Sequence, residues 1–344
     1  MKTTLILSLL ILSIAVNAQI VNIPDPHFKN ALLNHDNFGG EIIDTNGDGE
    51  IQVSEAEAII DLIVGDPFLS GQIEDMTGIE AFINIKSLLC FRNKITSLNL
   101  SQNTALEYLS CGENRIQSLD LTNNINLITL DCFSNFLTEL NVSQNIALQN
   151  IRCYENNLSN IDLTNNENLS VFIGNNNNFS NLDLTNNNQL IGLNCENNRL
   201  NHLNIQNNNN ENFYYFNSKN NPDLTCIFVD DSEYSEGASS WYKDPESTYV
   251  ETQEECDALG FDEKLLKNIN IFPNPAQNVL NIELPDLYFE ELYLAIKDVA
   301  GKTIAIHQLK TDFTLDVSQL PSGIYFLNIY NNQNKRLTKK LVKL

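Results

Sequence analysis

Apolar residues recur along the middle of this chain with a single spacing. From Leu106 the sequence reads LEYLSCGENRIQSLDLTNNIN, then LITLDCFSNFLTELNVSQNIA, then LQNIRCYENNLSNIDLTNNEN, a step of 21 residues. Leu106, Leu127, Leu148, Leu169 and Leu190 form one column, and Leu109, Leu130, Ile151, Phe172 and Leu193 a second. A third runs through Ile95, Ile116, Leu137, Leu158, Phe179 and Leu200. Two further apolar positions follow in each unit, for example Leu119/Leu121, Leu140/Val142 and Ile161/Leu163, spaced two apart as in a strand. Each coil is therefore predicted to carry two short extended segments. One coil buries about six apolar side chains at ~1.5 to 3 kcal/mol each, while ordering its backbone costs ~1 to 2 kcal/mol per residue. A single coil cannot fold alone, so stacking must supply the missing burial on both faces.

A fixed period of this length with this leucine spacing is a leucine-rich repeat pattern, and it predicts a solenoid with a parallel sheet over residues 76–229. Cysteine occupies the third apolar position as Cys90, Cys111, Cys132, Cys153 and, two periods on, Cys195. These five alternate with inward leucines, and in-register parallel neighbours hold their Cβ atoms roughly 5 Å apart, too far for an unstrained bridge. They read as buried thiols acting as small apolar groups. Cys226 and Cys256 lie beyond the last repeat, where a bridge would close the open end of the core. In the chain-entropy model that loop is worth ~3 to 4 kcal/mol. Asn93, Asn114, Asn135, Asn156, Asn177 and Asn198 keep the same step at the bend after the first strand, where their amides can bond neighbouring coils. Two irregularities predict a slight defect, not a break: Gly174 stands at a cysteine position, and Glu211 and Asn212 are extra residues before the last coil.

The flanks follow other patterns. PDPHFKNALLNHD has helical spacing at Phe28, Leu32 and Leu33, and EAEAIIDLIV reads as a second short helix. Between them DTNGDGEIQVSE matches the twelve-residue EF-hand loop. Asp44, Asn46 and Asp48 stand at its positions 1, 3 and 5, Gly49 at 6, Glu50 offers a carbonyl at 7, and Glu55 closes at 12. Alternate oxygen donors wrap a hard cation, glycine permits the sharp turn, and the distant glutamate binds bidentately. Structural calcium is the expected cofactor, stiffening an amino-terminal cap. After Cys256 the period stops, and INIFPNPAQNVLNIELP, LYLAIKDVAGKTIAIHQL and FTLDVSQLPSGIYFLNIYN alternate apolar and polar residues between turns, which predicts a small β sandwich.

Charge sharpens this division. The chain carries a net −24, but residues 20–262 hold 36 acidic and 9 basic side chains, a balance of −27, and residues 263–344 hold 8 and 10, a balance of +2. So acidic a body repels phosphate backbones, and nucleic acid is not an expected partner. At the amino terminus Lys2 precedes an apolar run from Leu5 to Val16, with small Val16 and Ala18 in cleavage position, which reads as a secretory signal peptide. That run is too short to span a bilayer, and no transmembrane segment is expected in the mature chain. His27, His35, His202 and His307 are scattered, and no Ser/His/Asp, zinc or phosphate-loop pattern occurs, so no enzyme is expected.

Phe272-Pro273-Asn274-Pro275, Asp298 with Gly301-Lys302, Gly323-Ile324-Tyr325-Phe326 and Lys339-Lys340-Leu341 resemble the type A carboxy-terminal sorting domain of the type IX secretion system of Bacteroidetes. That resemblance implies handling by the secretion machinery, crossing of the outer membrane, removal of the domain, and surface attachment or release. The repeats resemble secreted bacterial proteins of internalin type, and Leu224-Thr225-Cys226-Ile227 through Trp241 and Cys256 resemble their closing cap.

The resulting expectation is α+β overall: signal peptide 1–18, helical cap 19–75, repeats 76–229, disulfide-closed cap and linker 230–262, and sorting domain 263–344. Ligand contacts are expected from residues pointing out of the first strands, with Phe91, Arg92, Tyr108, Asp131, Phe133, Arg152 and Tyr154 as candidates. Aromatics beside arginine are typical of interface hot spots. The expected function is an exported surface protein binding a protein or glycan there. The alternatives are a structural surface or biofilm component without a specific ligand and a glycan-active enzyme.

Overall fold

The computed structural model describes residues 19–65, 71–257, 269–283, 292–309, 313–331 and 336–344. The expected signal peptide and the first six residues of the expected sorting domain lie outside them. The chain divides into two compact units, one ending at Ser247 and the other beginning at Thr248.

The first unit is a leucine-rich repeat solenoid. Its main sheet is parallel, with nine short strands stacked in chain order from Asp61–Ile63 and Ser87–Leu89 to Tyr215–Asn217 and Trp241–Tyr242. Only every second strand residue faces the core, which makes register easy to read. Leu62, Leu88, Leu109, Leu130, Ile151, Phe172, Leu193, Phe216 and Trp241 pair in one continuous row. All of them are buried. The second extended segment of each coil behaves differently: it forms a hydrogen-bonded sheet only from Asn181–Asp183 through His202–Asn204 to Cys226–Phe228. In earlier coils the inward pairs such as Leu119 and Leu121 are buried without a ladder, so the second strand expected there is absent. Packing and asparagine side chains, not a strand ladder, hold those segments.

The five cysteines of the column are fully buried and free. Desolvation pushes the Cys111 and Cys153 thiols up to about 12, which keeps them protonated and apolar. Cys226 and Cys256 are disulfide-bonded. At Gly174 the column is interrupted for a steric reason. A Cβ there would lie 2.8 Å from the Phe172 ring and 2.9 Å from Phe179. Two phenylalanines have taken the space that Ile151 and Leu158 leave to Cys153 one coil earlier. The strand ladder passes through unbroken, with Gly174 N–H donating to Asn194 O at 2.8 Å. Glu211 and Asn212 are absorbed in a 3-10 turn, Asn210–Asn212, and the following strand keeps register with Gly192–Asn194.

Two asparagine ladders stitch the coils. In the expected one, Asn135 Nδ2 donates to Cys111 O of the preceding coil and Cys132 O of its own, at 3.0 and 3.2 Å, while its Oδ1 accepts Ile116 N–H at 2.9 Å. Asn114, Asn156, Asn177 and Asn198 repeat the arrangement. The second ladder, Asn103, Asn124, Asn145, Asn166 and Asn187, has the same step and escaped the sequence reading. Asn145 Nδ2 donates to Leu121 O and Asn124 O at 3.0 and 2.8 Å, but its Oδ1 is buried without a partner, as are the other four.

The amino-terminal segment is less helical than expected. Pro26–Leu33 is a helix, capped by Asp25, whose carboxylate accepts the His27 and Phe28 N–H groups. The second helix is a single turn, Val53–Ala56, and most of EAEAIIDLIV is not helical. Asp61–Ile63 within it becomes the first strand of the sheet, because Leu62 finds an open ladder at Leu88. The protein is thus mostly strand with few helices, and the α+β description overstates its helix.

In the second unit two antiparallel sheets share one core. The first orders Asn270–Phe272, Val279–Glu283 and Phe313–Asp316. The second orders Thr303–Leu309, Leu292–Lys297, Gly323–Asn331 and Arg336–Lys343. Leu280, Ile282 and Leu315 from one sheet and Leu294, Leu327, Ile329 and Leu341 from the other lie in a single buried cluster.

Candidate functional site

In the main sheet the residues flanking each inward leucine point outward. Tyr108, Thr129 and Asn150 form one outward row, and Ser110, Asp131 and Arg152 the next. Asp131 is buried although it sits on this face. The Arg152 guanidinium contacts both its carboxylate oxygens at 3.2 and 3.3 Å, and the Tyr108 hydroxyl donates to Oδ2 at 3.1 Å. A buried carboxylate needs such partners, since a charge taken out of water is costly unless it is paired and hydrogen-bonded. Burial and then the Asp131 charge push the Tyr108 phenol up, so it remains a donor.

Beside this network Phe133 and Tyr154 stack, ring centroids 4.7 Å apart and planes within 5°. That separation matches the spacing of neighbouring strands. On its other side Phe133 leans over Gly112, where a Cβ would come within 2.7 Å of the ring. Phe133 is thus sandwiched between Tyr154 and bare backbone. Burial, then Glu155, Glu113 and Asp131, raise the Tyr154 phenol.

Five of the seven candidate contact residues therefore come together: Tyr108, Asp131, Phe133, Arg152 and Tyr154. Phe91 shares the column of Phe133 but lies two coils away with Gly112 between, packed over Gly65. Arg92 pairs with Glu113 at 2.9 Å at the margin of the face. Sequence reasoning missed Gly112. Its signal was a lone glycine flanked in its column by two phenylalanines.

In the loop at 44–55 the candidate oxygens are arranged by local hydrogen bonds. Asp44 accepts N–H groups from Gly47, Asp48 and Gly49, and Asp48 accepts that of Glu50. The bond from the Glu50 N–H, more than any other contact, lowers the Asp48 pKa. Glu55 accepts Thr45 N–H and Oγ1–H on one oxygen and Gln52 N–H on the other. Asn46 Nδ2 donates to Asp48 and to Gln52 Oε1, and Lys29 pairs with Glu50 at 2.7 Å. Gln52, at loop position 9, was not among the expected ligands. Among the described residues no group of three His, Cys, Asp or Glu converges as a metal site. The donor set is all oxygen and suits a hard cation, with the Asn46 and Gln52 amides able to turn their oxygens toward it.

His35 has a structural role. Its Nε2 accepts the Ile63 N–H at 2.9 Å, so Nδ1 carries the proton that meets Glu41 O at 2.7 Å. It ties the amino-terminal segment to the first strand.

Residues 270–344 match the family of secretion system C-terminal sorting domains. This stretch is a sorting domain. It marks the chain for export and for attachment at the cell surface through the type IX machinery. Among the described residues no helix is long and apolar enough to cross a membrane. No curated protein matches the chain. Solved structures similar to it include the functional domain of InlJ from Listeria monocytogenes, described as including a cysteine ladder. The two are 18% identical over 95% of this chain and 100% of that one, with a TM-score of 0.37. A leucine-rich repeat protein of Leptospira interrogans is 19% identical over 58% of this chain and 56% of its own, with a TM-score of 0.44. The internalin InlF of Listeria monocytogenes is 16% identical over 69% and 94%, with a TM-score of 0.27.

Proposed function

We propose that this exported leucine-rich repeat protein is a non-catalytic binding protein whose ligand sits on the sheet face around Phe133 and Tyr154. The stacked pair carries the reading: two aromatic rings and an arginine, held by Gly112 and by the buried Asp131. Preorganised aromatic and arginine side chains are what interface hot spots are made of. One face of each ring is occupied by the other, which favours a protein ligand over sugar stacking. The test is a protein and glycan array probed with the full chain and with Phe133→Ala/Tyr154→Ala. The double variant is expected to lose the strongest hits. Hits that survive it, or none at all, reject the patch and favour a scaffold without a specific ligand.

The reading includes a structural calcium at Asp44, Asn46, Asp48, the Glu50 carbonyl and Glu55, supported by the oxygen donors at EF-hand spacing. Calcium is expected to raise the melting temperature of the full chain, and Asp44→Ala to remove the increase. Equal melting with calcium and with chelator would sink this part.

A further inference from the structure

The four-stranded sheet of the sorting domain has an unusual outer face. Antiparallel sheets with one face on a core usually turn polar residues outward. Here Ile304, Ile306, Ile324 and Phe326 are 45%, 58%, 42% and 37% exposed. Strand alternation puts all four opposite the core side, since Tyr325 and Leu327 are buried and Ala305 packs against the core. Register brings them into one band. Ile306 pairs with Ala295, a small buried residue, and Phe326 lies on the far side of that strand, paired with Lys297. Phe326 is also paired with Lys340, so lysines stand on both sides of the ring, and Ile324 follows two residues before it, opposite Val342. The core of the domain does not need these side chains, because its own cluster is closed without them.

We infer that this outer face is the surface by which the export machinery reads the sorting domain. The partner it fits has an apolar contact patch with carboxylates placed to meet Lys297 and Lys340. Charge supports that partner: residues 263–344 carry +2 in a chain of −24, and two of the lysines frame the apolar band. Apolar burial would supply the affinity, and the lysines the orientation.

The experiment expresses the full chain in a bacterium with a type IX system and measures the fraction reaching the surface and medium. Lys297→Glu/Lys340→Glu is expected to lower export at least about tenfold, with the melting temperature of the purified chain unchanged. Ile306→Ser/Phe326→Ser is expected to do the same. Val279→Ser, an equally exposed apolar position on the other sheet, is expected to export normally. Normal export of the lysine variant overturns the inference. So does a loss of export accompanied by lowered melting in that variant, or an equal loss in Val279→Ser.

Discussion

Removing one asparagine from each ladder should have unequal effects, although the substitution is the same and both side chains are buried. Asn135→Ala deletes the acceptor of the Ile116 N–H, leaving a buried donor without a partner. That costs ~1 to 3 kcal/mol. It also removes the donor to Cys111 O and Cys132 O, but each of these carbonyls keeps a second asparagine, Asn114 and Asn156. Their loss adds ~0.5 to 1.5 kcal/mol apiece, for a total of roughly 2 to 6 kcal/mol. Asn145→Ala removes two donors whose acceptors keep backbone partners, the N–H groups of Asn124 and Leu127. It also deletes the unpartnered Oδ1, which offsets part of the loss. About 1 to 2 kcal/mol is expected there. The cavity left behind is that of the same side chain in both cases, so the difference reports hydrogen bonding. The assay is equilibrium urea unfolding followed by the fluorescence of the chain's one tryptophan, Trp241, which lies in the last strand of the solenoid. Equal losses, or a larger loss for Asn145→Ala, would refute the reasoning.

Asp25 joins the first helix to the start of the repeats, since its second oxygen accepts the Glu74 and Asp75 N–H groups at 2.8 and 3.0 Å. Burial alone would raise its pKa, but the four N–H bonds outweigh burial and hold it below 3.8. A lowered folded value gives stability that is full above that pH and lost as pH falls through the folded pKa. Asp25→Ala should therefore cost ~2 to 4 kcal/mol at neutral pH, with the gap narrowing below about pH 4; a gap independent of pH would contradict this. Gly174→Cys restores the cysteine column by sequence yet should destabilise by ~1 to 3 kcal/mol through overpacking against Phe172 and Phe179. A gain in urea midpoint would overturn that steric account. A thiol reagent at mildly alkaline pH should label none of the five column cysteines in the folded chain and all five after denaturation. Rapid labelling without denaturant would show the column to be open.

The repeat, its inward columns and its stacking were legible in the sequence because a period of 21 residues fixes which side chains share a face. Leu109 to Leu193 line up as the spacing requires, and the cysteines fall inward as their alternation with leucine demands. The two-strand reading of each coil went too far. An apolar pair two residues apart specifies burial but not a ladder, and only the last coils close the hydrogen bonds. EAEAIIDLIV was misread as helix because its apolar run fits either period, and the free edge at Leu88 decided the matter. The surface was legible only as a set of candidates. Sequence spacing could place Phe91, Phe133 and Tyr154 in one column, but contact depends on what occupies the coil between. Gly112 lets Phe133 lie down and leaves Phe91 apart. The sinking of Asp131 beneath Arg152 and Tyr108 was likewise a tertiary outcome. A repeating pattern encodes direction, inward or outward, because that depends on local backbone geometry. Which outward residues meet depends on volumes and charges contributed by neighbouring coils, and those are settled only when the coils stack.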